Sequence, residues 1–169
     1  TSMGITAENV SERYKISRED QDQFSFESHQ KAFQAVEGGL FDSQITPVEL
    51  DLVTPSGPEQ IVVKRDEGPR EDTRIELLAK LRPVFKLGCT VTAGNSSQMS
   101  DGAAGVIIMS KAKADDLGLK PLARFVSFAV AGVAPEIMGI GPIVAVPKVL
   151  ERAGLSQEDI GLIELNEAF

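Results

Sequence analysis

The chain has one cysteine and one histidine in 169 residues. A lone cysteine cannot close an internal disulfide, which suits a reducing compartment. A lone histidine cannot form the His cluster that a zinc site calls for, and no metal site is expected. Long apolar runs are missing as well. None approaches the roughly 20 residues that cross a bilayer, and no basic n-region followed by an apolar core marks a signal peptide. Basic charge is also short. Seventeen Lys and Arg against 25 Asp and Glu leave a net charge of −8. That is the wrong sign for a surface that must neutralise nucleic-acid phosphates. No internal repeat and no low-complexity tract is present.

What remains is an ordinary soluble composition, 42% hydrophobic and 25% charged, enough for one core or for pieces of two domains. One stretch departs from the acidic average. Lys64, Arg65, Arg70, Arg74, Lys80, Arg82 and Lys86 face five acidic residues between positions 64 and 86. The stretch suits a small phosphate-bearing ligand, and equally a solvated mixed-charge face. Both ends look cut. The chain opens on Thr1-Ser2-Met3-Gly4 and halts on Glu164-Leu165-Asn166-Glu167-Ala168-Phe169, just after the apolar run Ile160 to Ile163. An Asn and a Glu where a strand meets a turn sit where α/β enzymes keep their polar chemistry. The expectation is the middle of a larger enzyme.

Periodicity and punctuation predict the elements. A short helix is expected over Ala7 to Tyr14. Ser17 caps a longer one, with Asp20 three residues on and Glu19, Asp20 and Asp22 in the first turn, where the helix dipole favours acids. Gly38-Gly39 ends it. Strand-like pieces follow at Ile45 to Leu52 and Ile61 to Val63, around a turn at Pro55-Ser56-Gly57-Pro58. Asp66 to Asp72 reads as an exposed loop, and Ile75 to Leu81 as a helix stopped before Pro83. In the second half, Ala103 to Met109, Ala123 to Val133 and Ile160 to Leu165 read as buried strands. Between them lie a helix at Lys111 to Leu117, closed by Gly118, and one with Pro147 in its first turn, a core side of Val146, Val149, Leu150 and Ala153, and Gly154 as its end. This β-α-β-α-β order predicts a layered α/β fold.

The densest polar cluster runs from Thr92 to Ala104 and includes Asn95, Ser96 and Ser97. Short polar side chains of this kind hold a tight connection by bonding its backbone. The stretch Thr90 to Ala104, which contains this cluster, resembles the signature of the thiolases, in their degradative 3-ketoacyl-CoA branch. Four other stretches match in order: Met3 to Val10 followed by Ser17 to Asp22, Ala79 to Phe85, Ile137 to Pro142, and the closing Asn166-Glu167-Ala168-Phe169. The resemblance covers nearly the whole chain. It implies a partial thiolase-type layered α/β/α fold with a mixed α+β loop domain. Residues 1–99 would be the loop domain, 100–121 the last strand and helix of the N-terminal core domain, and 122–169 the start of the C-terminal core domain.

The resemblance also implies an activity: cleavage of a 3-ketoacyl-CoA by a second CoA, or the reverse condensation, in fatty-acid β-oxidation. It implies CoA and 3-ketoacyl-CoA as substrates, no separate cofactor, and a homodimeric or homotetrameric parent. The compartment would be the bacterial cytoplasm or, in a eukaryote, the peroxisome or mitochondrial matrix. By the same match, Asn166 holds a water of the thioester oxyanion hole, a role that fits an amide because an enolate needs preplaced neutral donors. Arg70 lies near the adenine end of CoA. Phe85 and Met138 border the pantetheine tunnel, Ala93, Gly94 and Ser97 line it, and Met3, Ala168 and Phe169 border the acyl pocket. The family's nucleophilic Cys falls before Thr1, and its catalytic His and second Cys fall after Phe169, so the isolated chain is expected to be inactive. Cys89 has no base or cation beside it in sequence to lower its pKa, and His29 reads as a structural residue. A non-catalytic CoA- or acyl-CoA-binding module and an acetoacetyl-CoA (biosynthetic) thiolase are the alternatives.

Overall fold

The computed structural model describes residues 2–169, so the expectation about Thr1 lies outside the described residues. The chain divides into two compact units, one of residues 2–13 with Met99–Glu167 and one of Tyr14–Gln98 with Ala168–Phe169.

The second unit is built on α2, Arg18–Glu37. Its start is as expected. The Ser17 hydroxyl accepts the Asp20 amide N–H at 3.0 Å and donates to the Asp20 carboxylate at 2.7 Å. Its end is fixed by Gly38, whose N–H reaches the Gln34 carbonyl at 2.9 Å. The strand-like pieces pair as an antiparallel hairpin, β1 (Val48–Thr54) with β2 (Gly57–Val63), in register from Val48↔Val63 to Thr54↔Gly57 around Pro55 and Ser56. The 66–72 loop is largely exposed. Helix α3 covers only Ile75–Leu78, with a last turn closed by Leu81 N–H on the Leu78 carbonyl at 3.0 Å. Leu78, Val91, Thr73, Thr92 and Asp22 are buried here.

The first unit holds α1 (Met3–Tyr14, as far as Arg13), α4 (Lys111–Asp116), a 3₁₀ segment at Pro135–Ile140 and α5 (Gly141–Ala153). Helix α1 starts four residues before the expected Ala7. Ser110 caps α4 by accepting the Lys113 N–H at 3.2 Å. The buried residues of this unit, among those described, are Gly4, Thr6, Glu8, Ser11, Ala114 and Ile137. Asn9 ties α1 to the 3₁₀ segment through the Glu136 carbonyl at 2.8 Å. Lys148 and Arg152 of α5 reach the carbonyls of Val130 and Phe128, each at 3.0 Å.

Two expectations are corrected in this unit. Pro147 is not in a first turn. Helix α5 begins at Gly141 with Pro142 in that place, and Pro147 lies inside it, where the Ile143 carbonyl forgoes an i+4 donor. Its expected core side is only half covered: Val149, Leu150 and Ala153 are half-buried and Val146 is exposed. Gly154 does end the helix, at φ +68°, a left-handed geometry that glycine adopts without strain. The second correction concerns residues 103–109, 123–133 and 160–165, none of which is a strand. Among the described residues β1 and β2 form the only ladder. Val106, Ile107 and Ile108 are 84 to 90% exposed. A strand buried on both faces exists only with ladder neighbours and covering layers, and the described residues supply neither.

Candidate functional site

The polar cluster that stood out in the sequence is organised around Asn95. Its carboxamide oxygen accepts the Thr92 N–H at 2.7 Å, and its NH₂ donates to the Thr90 carbonyl and to Asp22, both at 3.0 Å. The Thr92 hydroxyl accepts the Gly94 N–H at 3.1 Å, and Ser96 donates to the Thr92 carbonyl at 2.7 Å. Ser25 of α2 donates to the Gly94 carbonyl. Thr92 is wholly buried and Asp22 is 3% exposed. Backbone that leaves regular structure inside a protein must find its partners among side chains, and these are the partners.

Gly94 is required by close approach. A Cβ there would lie 2.5 Å from Leu81 Cδ1 and 2.6 Å from Leu78 Cδ2, tighter than packed carbon atoms tolerate. The turn therefore lies flat against α3 and its last turn. Gly68 is similarly close to Gln98, whose Nε2 would be 2.7 Å from an added Cβ. That brings the loop carrying Arg70 beside the Gln98 side chain.

Four of the expected site residues meet in this unit. The Ser97 N–H donates to the Ala168 carbonyl at 3.0 Å. The rings of Phe85 and Phe169 pack edge to face, with centroids 5.9 Å apart and planes at 72°, a favoured aromatic geometry. Ala93 is exposed and Gly94 half-buried on the same turn. Met3 at the start of α1, Met138 in the 3₁₀ segment and Asn166 belong to the other unit and are exposed. Asn166 stands in no regular element, and among the described residues its side chain has no hydrogen-bond partner.

Arg70 lies at the surface. Its guanidinium binds Asp72 through Nε and Nη2, both at 3.1 Å, and its amide N–H donates to His29 Nδ1 at 3.3 Å. Arg70 holds the Asp72 carboxyl below its ordinary value, by hydrogen bonding and by charge. His29 is pushed below 6.5, chiefly by burial and then by the Arg70 charge, against the opposing pull of Asp72. Neutral His29 can accept the Arg70 N–H, whereas imidazolium cannot. The His29 contribution to stability is therefore full above about pH 6.5 and is lost as pH falls through the depressed folded value. Because His29 is the one histidine, an NMR titration of its imidazole protons reads it without overlap. A midpoint below about 6.5 is expected, and a midpoint at or above that value would contradict the burial.

Two residues of the cluster carry more than their sequence positions implied. Asp22 was expected as a first-turn acid on the helix dipole. It is instead in the second turn, buried, and bound to Arg18 Nε at 2.7 Å as well as to Asn95. Arg18 also donates to the carbonyls of Leu78 at 2.6 Å and Leu81 at 3.1 Å. The i,i+4 spacing of Arg18 and Asp22 was the available signal. The basic stretch is also divided in space. Lys64 and Arg65 line a separate cleft of about 410 Å³ with Val36, Phe41, Ile45, Pro47, Asp42 and Asp66, and Arg65 is paired with Glu37 at 2.5 Å. Among the described residues no group of three or more His, Cys, Asp or Glu is placed to hold a metal ion, and no helix is long and apolar enough to cross a membrane.

Comparison with known proteins places these features in a family context. The model of the thiolase N-terminal domain matches residues 1–112, and that of the thiolase C-terminal domain matches residues 119–169. The 3-ketoacyl-CoA thiolase of Bacillus subtilis is 55% identical over 174 residues, covering 99% of this chain and 44% of that protein. The peroxisomal 3-ketoacyl-CoA thiolase B of Rattus norvegicus is 51% identical over 168 residues, covering 99% of this chain and 40% of that protein. Among solved structures, the acetyl-CoA acetyltransferase of Bacillus anthracis aligns with a TM-score of 0.90 at 48% identity, covering 99% of this chain and 41% of that one. The dimeric peroxisomal thiolase of Saccharomyces cerevisiae aligns with a TM-score of 0.88 at 48% identity, over 100% of this chain and 42% of that one. The chain thus has part of the thiolase layered α/β fold, and it spans about two fifths of the length of the relatives it matches.

Proposed function

Since the chain belongs to the thiolase family, we propose that it is the CoA-contacting middle of a 3-ketoacyl-CoA thiolase, which cleaves a 3-ketoacyl-CoA with a second CoA in fatty-acid β-oxidation. The observation that carries this reading is the meeting of two distant motifs in one unit: Ser97 on the Ala168 carbonyl and Phe85 on Phe169. In this reading Ala93, Gly94, Ser97 and Phe85 border the pantetheine arm, with Ser97 hydrogen bonding to it. Arg70 attends the adenine end. Met138 adds an apolar contact, and Met3, Ala168 and Phe169 bound the acyl group. Asn166 orients a water toward the thioester oxygen. The nucleophilic Cys, the His that activates it and the second, acid–base Cys would come from chain beyond this segment.

The same reading assigns residues 1–99 to the loop domain, 100–121 to the end of the N-terminal core domain and 122–169 to the start of the C-terminal core domain. The bare apolar runs at 103–109, 123–133 and 160–165 favour it, since they would be sheet strands once ladder neighbours are supplied. The parent would be a homodimer or homotetramer with CoA and 3-ketoacyl-CoA as its ligands and no metal or other cofactor. It would work in the cytoplasm of a bacterium, or in the peroxisome or mitochondrial matrix of a eukaryote.

Acetoacetyl-CoA thiolysis, followed by loss of the enolate absorbance, tests the assignment. The full-length protein that contains this segment is expected to turn over, and the 169-residue chain alone to show none. Turnover by the isolated chain, free of full-length enzyme, would overturn the assignment of the catalytic groups. Micromolar CoA binding by the isolated chain, together with an inactive full-length protein, would instead favour a non-catalytic CoA-binding module.

A further inference from the structure

We propose that Arg18, Asp22 and Asn95 form a clamp, centred on the buried Asp22 carboxylate with Arg18 and Asn95 half-buried, that sets the position of the CoA-contacting turn at residues 93–97, and that all three are positioning residues for CoA binding; this rests on the reading of that turn as the pantetheine wall. The clamp joins three pieces of chain. Arg18 holds the end of α3 by the carbonyls of Leu78 and Leu81, at 2.6 and 3.1 Å. The same guanidinium binds Asp22 at 2.7 Å, and the other Asp22 oxygen receives the Asn95 NH₂ at 3.0 Å. Asn95 then fixes both sides of its own turn, by the Thr92 N–H at 2.7 Å and the Thr90 carbonyl at 3.0 Å.

Each polar atom in this chain of bonds has a defined role as donor or acceptor, so its geometry is unique. An arginine cannot accept and a carboxylate cannot donate. Asp22 presents one oxygen to Arg18 and the other to Asn95, and Asn95 must turn its NH₂ toward Asp22 and its oxygen toward Thr92. The amide orientation thus follows from the neighbours. Gly94 is pressed on Leu78 and Leu81, the residues whose carbonyls Arg18 holds. Shifting the clamp would move the floor under the turn and the turn itself together. A ligand wall that is misplaced by about 1 Å loses its ligand without changing the reacting groups.

The donor–acceptor logic gives a test by exchange. In Asp22→Asn an amide NH₂ must face either Arg18 or Asn95, both donors. In Asn95→Asp a second carboxylate faces Asp22 and the Thr90 carbonyl. The double exchange restores a donor–acceptor match between positions 22 and 95 and keeps the total charge, but it gives up the Arg18–Asp22 charge pairing and the bond to the Thr90 carbonyl, so the rescue is partial. In the full-length protein, each single variant is expected to raise KM for CoA about tenfold or more while kcat stays within about threefold. The double variant is expected to bring KM back by about threefold or more relative to either single variant. Ser97→Trp, which places a bulky ring on the proposed wall, separates the two ideas. If it raises KM while the clamp variants lower only the unfolding temperature, the clamp is structural and the proposal fails. If Ser97→Trp binds CoA as well as the unmodified protein, the pantetheine reading falls and takes the proposal with it.

Discussion

Asp22→Ala is expected to lower the unfolding free energy by about 2–4 kcal/mol, somewhat below the roughly 3–5 kcal/mol found for a fully buried ion pair, because the Arg18 side chain keeps 18% exposure. The size follows from what is left behind. Arg18 Nε and one Asn95 N–H lose their acceptor together, in a setting where Asp22 itself is 3% exposed. Water replaces the carboxylate only in part, on the exposed side of Arg18, and an unmade hydrogen bond to a charged group costs more than a made one contributes. The loss should be felt locally first. Amide hydrogen exchange at Thr92 and Gly94, whose N–H groups bond to Asn95 Oδ1 and Thr92 Oγ1, should accelerate with the drop in urea midpoint. Asp72→Ala is the control. It removes the exposed pair with Arg70, and exposed pairs contribute little. A loss below about 1 kcal/mol for Asp22→Ala would mean that the pair is solvated and the clamp is slack.

The contrast between these two aspartates shows which parts of the chain its sequence disclosed. Helix α2 was legible because its start and end are local events: a serine, an acid three residues later and two glycines. The hairpin was legible for the same reason, since a Pro-Ser-Gly-Pro turn needs only its flanking residues. Ser97, Ala168, Phe85 and Phe169 were legible through motif resemblance, and two contacts now join them in one unit. Asp22 is ambiguous in the sequence because its spacing from the cap suits a dipole partner as well as a buried acceptor. The choice between them is made by Asn95, 73 residues away. The three apolar runs resemble strands in sequence because β-branched residues in a row satisfy the pattern of a buried strand. A ladder, however, is a property of pairs of segments, and no pattern within one segment reports whether its neighbour is present. The start of helix α5 is ambiguous in the sequence for a related reason. Two prolines compete for the first-turn position, and the winner is Pro142, next to Gly141.

Asn166→Ala, made in the full-length protein, is expected to lower kcat for thiolysis by about 10²–10³-fold with little change in KM, the effect of removing one oxyanion donor. The side chain stands exposed with no partner among the described residues, an arrangement compatible with binding and orienting a water. An amide already committed inside the fold, as Asn95 is, has no such capacity. The water would donate to the thioester oxygen as charge gathers there, so its contribution appears in the transition state and leaves ground-state binding nearly unchanged. Asn166→Asp sharpens the test, because it preserves the shape and adds a carboxylate. A negative charge beside a developing enolate opposes it, so this variant should be at least as slow as Asn166→Ala above the carboxyl pKa and should recover as pH falls through it. A kcat within about threefold of the unmodified enzyme for both variants would remove Asn166 from the oxyanion site.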